Sequence, residues 1–317
     1  MRYLSERGTA GVTGDALPLE RQQPPQESPR TIGATVIEGT TLRGRRVEGE
    51  PAPGFAAFLD GTQQSRVIAY EQGVPIVHGT VGAVVRERRN RRMCTWQHAV
   101  QPRVYAPLAR LDAAGAAGLE AAFPGGVVDT TAPHPSREPP GAHPFALLER
   151  AVHLVQEDRE RLETSLASRW CALNPGMLFI DGGISGSETI AQASCVAGVI
   201  KSHRTLYAEG DALGEVLALP RGWRSSVFRI TSARRSVVAS WYLRLRDPSG
   251  RDPLWGLVRV EIAAPDRAAS PESVARRADE VSRWILAEVA PLSLPDARWD
   301  KMVYGVRDCE EYLRSVM

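Results

Sequence analysis

The stretch GFAAFLDGTQQS, residues 54–65, decides how this chain is read. A short apolar run, 55–59, ends abruptly on Asp60-Gly61. Two further strand-like runs follow, RVIAYEQ (66–72) and PIVHGTVGAVVRER (75–88), joined by a short glycine-containing turn. Together they predict a three-stranded antiparallel meander. A polar stretch leads into TTAPHPSREPPGAHP (130–144), too rich in proline for regular structure and expected as a surface loop. From Phe145 to about Trp170 the period changes: Leu148, Val152, Val155, Leu162 and Leu166 form one helical stripe. MLFID (177–181) then repeats the opening motif, an apolar strand ending on Asp181-Gly182, and VAGVIKSH (196–203) reads as another buried strand. Later strands are expected at 227–231, 237–246 and 255–263, with an amphipathic helix over 271–289 and another at DCEEYLRSV (308–316). Strand with Asp, hairpin, helix, strand with Asp is the order of an α/β protein with an RNase H-like core: a mixed sheet flanked by helices, with additional strands and helices. A Rossmann order would place a helix between the first strands.

Composition sets the outer bounds. With 317 residues, 43% hydrophobic and 24% charged, the chain can bury a sizeable core. Its net charge of +2 excludes a general polycation, so any grip on nucleic acid has to come from local arginine clusters. The cysteines (Cys94, Cys171, Cys195, Cys309) form no CxxC pair, which argues against zinc or a disulfide framework and for a reducing cytoplasm. No apolar run is long enough to span a membrane, and the N-terminus has no apolar signal core, so a soluble, cytoplasmic protein is expected. Residues 1–50, with RQQPPQESPR at 21–30, read as a flexible or partly ordered arm in which TIGATVIEGTTL (31–42) can hold a short strand. Residues 51–317 read as the functional domain.

Two aspartates at the ends of neighbouring strands would project into one crevice. Their oxygens suit Mn²⁺ or Mg²⁺, and the following glycines leave room for a phosphate. The competing reading is that Asp-Gly is a favoured turn dipeptide. The long helix supplies a third carboxylate, Glu163, with Glu160 as the fallback on a face shared with Glu149, His153 and Gln156; that face can equally be solvated. Lys201, at the end of its strand, can stabilise charge on a phosphate, or is simply an exposed strand-end lysine. RERRNRR (86–92) offers Arg86, Arg88 and Arg89 to a phosphate backbone, and Arg204 follows Lys201. A solvated charge run is the alternative. GGISGS (182–187) lacks GxxxxGK[ST], so a Walker-type ATP site is unsupported.

FLDGTQQS, FIDGGISGSE, AGVIKSH and a late strand followed by a terminal helix resemble the NurA nuclease family, in islands spread over roughly residues 55–315. The resemblance implies an RNase H-like fold, a homodimer, and Mn²⁺-dependent cleavage of DNA with single-strand endonuclease and 5′-to-3′ exonuclease activities. It also implies a hexameric HerA/FtsK-like translocase ATPase as partner, in DNA-end processing or phage defence. Asp60 and Asp181 match the family aspartates, Glu163 the helix glutamate and Lys201 the strand lysine. Family members often close the site with a C-terminal histidine, whereas here no histidine follows His203. Asp308 is the expected substitute, with Glu310 and Asp300 as alternatives. FLDGT also echoes a HAD-type phosphatase, but the nucleophile position is Phe58, which argues against it. A non-catalytic RNase H-like scaffold that docks an ATPase or nucleic acid is the reading from a different class.

Overall fold

The apolar run at 55–59 does not stop at Asp60. In the computed structural model, which describes residues 10–11, 28–90, 92–133, 141–174, 176–232, 235–266, 268–289 and 303–317, it continues as one strand, β1 (Phe55–Glu71). β1 turns through Gln72 and Gly73, both at positive φ (50° and 82°), into the antiparallel β2 (Val74–Arg89). A two-residue turn of that kind matches the twist of a hairpin. β3 (Arg92–Ala106) completes the meander. The three-stranded meander is therefore present with different members. The sequence runs 55–59 and 66–72 are halves of β1, and β3 is the stretch that reads as polar. Most of β3 is exposed or half-buried, with only Val104, Tyr105 and Ala106 buried at its end, so it carries no apolar alternation.

After a short helix at Ala113–Ala122 and a strand at Val127–Asp129, the long helix α1 (Pro144–Leu173) leads from the meander to β4 (Met177–Asp181). It starts with Pro144 at its first turn and with the His143 side chain accepting from the Phe145 amide. β4 is parallel to β1, and β5 (Val196–Ile200) is parallel to β4. β6 (Phe228–Ser232), β7 (Arg235–Arg244) and β8 (Leu257–Ala263) extend the sheet antiparallel, in the order β3-β2-β1-β4-β5-β8-β7-β6. A meander, a crossover helix and two parallel strands added beside the first strand make the expected RNase H-like core, enlarged into a mixed sheet.

The two faces of the sheet are covered differently. Leu148, Val152, Val155, Leu162 and Leu166 of α1 pack with Val77, Val81, Ala83 and Val85. The opposite face, with Phe58, Val84, Phe179 and Val199, is covered by α2 (Pro271–Glu288) and α3 (Tyr304–Val316). α3 lies so close that a Cβ on Gly305 would come 2.3 Å from the Phe58 ring. No helix among the described residues is long and apolar enough to cross a membrane.

Residues 28–50 are stitched into the body. Thr35–Val36 pair with β6, and Gly44–Arg46 with Trp223–Ser225. Buried Glu38 accepts from Arg224 (2.6 and 3.1 Å) and from the Val227 amide (2.9 Å), and Arg224 also donates to Asp279 at 2.6 Å. This segment is held by an ion-pair hub and a few apolar anchors such as Leu42 and Val47, which leave no periodic signal. Ala10–Gly11 pair with Tyr70 and Ala69 of β1, while residues 1–9 and 12–27 of the arm, the centre of the Pro-rich loop (134–140) and Asp300 lie outside the described residues.

Candidate active site

Register brings the two aspartates together. Phe58 pairs with Phe179 and Leu59 with Ile180 across the parallel β1–β4 ladder, so Asp60 and Asp181 come next, side by side. Val199 of β5 pairs with Asp181, which puts Lys201 just past the tip of the adjoining strand. Alternation along a strand places Asp60, Asp181 and Lys201 on the face of Phe58, Phe179 and Val199. β4 ends at Asp181 while β1 runs on to Glu71. The step between them opens a cleft of about 410 Å³, lined by Asp60, Asp181 and Glu310 and by Arg159, Lys201 and Arg314, with Gly61 and Thr62 at its floor. Asp60-Gly61 is therefore not a turn; it lies inside a continuous strand.

Glu163 arrives from the other face, on α1. A Cβ on Gly61 would sit 2.0 Å from Glu163 Oε1, so the missing side chain leaves the space that this carboxylate occupies, against the strand that lines the cleft. Glu163 is 13% exposed and Glu160 53%, and Glu160 bonds Gln156 (2.9 Å), so of the two it is Glu160 that stands on the solvated face. Arg159, one turn before Glu163, donates to it and to Gln63 Oε1 (3.1 Å). Burial pushes the Glu163 carboxyl up to about 7, against the lowering effect of Arg159. Asp60, 8% exposed, accepts from the Gly61 amide at 2.9 Å. Its carboxyl is held well above the usual range by burial first and then by Asp181, with Lys201 opposing and Glu163 and Glu310 adding to the rise.

Lys201 Nζ lies 2.8 Å from Asp181 Oδ2. From α3 the cleft receives Glu310, with Arg314 3.5 Å away. Asp308, the expected fourth ligand, points elsewhere: it accepts from Arg86, which also reaches Thr95 and lies over the Tyr312 ring. Two residues along a helix turn a side chain to the other side, and here that difference selects Glu310. Among the described residues, no three His, Cys, Asp or Glu side chains converge on one point as they stand. Asp181 and Glu163 are each turned toward their own cation.

Of the arginines in RERRNRR, Arg86 and Arg88 face the helices. Arg88 grips Glu288 with both nitrogens (2.7 and 2.6 Å) and stacks over Phe58. Arg89 is exposed beside Glu87, and Arg204 is exposed as well. The loop GGISGS is not a phosphate cradle, because its Ile184 and Ser185 amides donate to Glu261 Oε2 (2.9 and 3.3 Å), a buried carboxylate paired with Arg259 at 2.6 Å. Sequence reasoning missed Arg159 and Arg314; the signal was their spacing of one turn from Glu163 and Glu310.

No family model matches the chain, and no curated protein does. Among solved structures it is similar to the NurA nuclease from Sulfolobus solfataricus, at 12% identity and a TM-score of 0.44 over 90% of this chain and 86% of that one. What the cleft does has to be read from its own side chains.

Proposed function

We propose that the chain is a metal-dependent deoxyribonuclease whose ion is held by Asp60, Asp181 and Glu163, with Glu310 as the fourth carboxylate. One observation carries this reading: two aspartates stand side by side on parallel strands, with Lys201 at the tip of the next strand and Glu163 passing over Gly61. The donor set fits Mn²⁺ or Mg²⁺, since it is all oxygen and all carboxylate. Burial first, and then repulsion from Asp181, Glu163 and Glu310, oppose ionisation of Asp60, and a divalent cation would relieve the repulsion. To hold one ion, Asp181 and Glu163 would have to turn away from Lys201 and Arg159, their partners in this structure. Held there, an ion would supply water activation and charge stabilisation for an in-line displacement at a phosphodiester. The chain's own part is to hold the carboxylates, to keep Gly61 and Thr62 from crowding the phosphate, and to set Lys201 against charge developing on it.

Incubating the protein with linear and single-stranded DNA and Mn²⁺ tests the reading. Cleavage is expected, and D60N and D181N should each abolish it while circular dichroism shows an unchanged fold. If either variant cuts at near-normal rate, the assignment of the carboxylates is wrong.

The single-strand endonuclease and 5′-to-3′ exonuclease activities, the HerA-type ATPase partner, the homodimer, and the role in end processing or phage defence belong to the same proposal through the family resemblance. Light scattering checks the homodimer, and co-purification checks the ATPase partner. A second reading, a non-catalytic scaffold, is favoured by one feature: each of Asp181 and Glu163 is engaged by a cation and no three acidic side chains converge among the described residues. Absence of cleavage with Mn²⁺ or Mg²⁺, with and without the ATPase, selects it.

A further inference from the structure

The carboxylates in and beside the cleft carry their own cations. Asp181 is held by Lys201 at 2.8 Å, Glu163 by Arg159, and Glu310 by Arg314 at 3.5 Å. Asp60 lies among them, more than nine-tenths buried, with its Oδ1 on the Gly61 amide. Three cations are thus interleaved with four carboxylates, and the local charge is close to balance. A cleft in that condition attracts a polyanion weakly. A divalent cation that takes the carboxylates changes two things together: it adds positive charge, and it removes the partners of the lysine and the two arginines.

We propose, on the reading of this cleft as a nuclease site, that Arg159, Lys201 and Arg314 exchange their carboxylate partners for the phosphates of a DNA strand when a divalent cation binds, so that metal and polynucleotide bind cooperatively. The chemistry suits the exchange. A guanidinium fork matches a phosphate as well as it matches a carboxylate, and lysine serves either as a point charge. Arg314 is 69% exposed, at the outer side of the cleft, while Arg159 (22%) and Lys201 (16%) stand deeper, so the three are spread from solvent to floor. Linkage then requires metal to tighten DNA by the same factor as DNA tightens metal.

Two measurements test this. Fluorescence anisotropy follows a labelled single-stranded oligonucleotide with EDTA, with Ca²⁺ and with Mn²⁺, and calorimetry titrates the DNA-free protein with Mn²⁺. For the wild type, DNA affinity should rise about tenfold or more with the divalent cation. R159Q should lose most of that gain, yet bind Mn²⁺ several-fold more tightly in the absence of DNA, because Glu163 no longer has a resident partner; R159K should fall between. DNA affinity that is equal with and without metal overturns the proposal. So does weaker Mn²⁺ binding by R159Q, which would mean that Arg159 merely props Glu163 in place for the ion. If the wild type takes up Mn²⁺ but neither binds nor cuts DNA, the nuclease reading fails and the phosphate half of the proposal with it, while R159Q calorimetry still decides the exchange at Glu163. A protein that binds no Mn²⁺ overturns both.

Discussion

Gly61→Ala removes no charge and no hydrogen-bonding side chain, yet it should switch the site off. The added Cβ would meet Glu163 Oε1 at 2.0 Å, Cδ at 2.8 Å and Cγ at 2.9 Å. All three atoms belong to the end of one flexible side chain, so the clash is relieved by swinging Glu163 out, not by moving β1. Regaining ordinary contact displaces the carboxylate by more than an ångström, and a misplacement of about 1 Å at a reacting centre can lower turnover about 100-fold. Stability should change little. Overpacking costs about 1–3 kcal/mol where nothing can yield; here the neighbour yields, and an alanine in an extended strand restricts the unfolded chain, returning about 0.4–1 kcal/mol. A melting-temperature change of at most about 4 °C is expected. The assay is Mn²⁺-dependent cleavage of single-stranded DNA by G61A, E163A and the double variant. If the glycine acts only by admitting Glu163, the double variant should match E163A, with no further loss. G61A activity within about threefold of wild type, or additive losses in the double variant, would refute the idea that this carboxylate has to stand against Gly61.

Three more predictions follow from the same geometry. In a chelator, wild-type stability should fall as pH rises from about 4.5 to about 7. The folded state keeps the Glu163 proton over that window while the unfolded state releases it; the shift to about 7 limits the loss to about 3 kcal/mol, and E163Q should flatten this part of a melting-temperature profile. K201M should slow cleavage by about 10- to 100-fold with an unchanged fold; a protein that unfolds instead would make Lys201 structural. R88Q leaves Glu288 buried without its bidentate partner, so chemical denaturation should show a loss of about 3 kcal/mol, with DNA affinity unchanged.

The sheet core was legible because buried strands and amphipathic helices write their period into the chain. α1 and β4 stand where the stripe from Leu148 to Leu166 and the run MLFID place them. β3 was not legible, since a strand with its middle exposed lacks apolar alternation. Asp60 and Asp181 could be read from apolar strand and Asp-Gly together, although Asp60 lies inside its strand and the glycine serves Glu163, not a turn. The arginines at 86 and 88 show the limit of charge patterns. A basic run on a strand does not reveal that alternate residues face helices bearing Asp308 and Glu288. The choice of Glu310 over Asp308 depended on the rotation of α3, which helical spacing fixes only once its apolar side is known.

Asp60 is the sixth residue of a seventeen-residue strand, whereas Asp181 is the last residue of its strand and leads directly into a loop. The two halves of the cleft therefore differ in stiffness. One carboxylate is anchored to a backbone laddered to β2 from Ala57 to Val67 without a break, which opens only with the sheet itself. The other is followed by Gly182 at φ 139° and by a loop clasped through Glu261. On the proposed reading, adjustment to an ion or a nucleic acid would fall to that loop and to the side chains of α1 and α3, while Asp60 would supply the fixed origin from which the rest is measured.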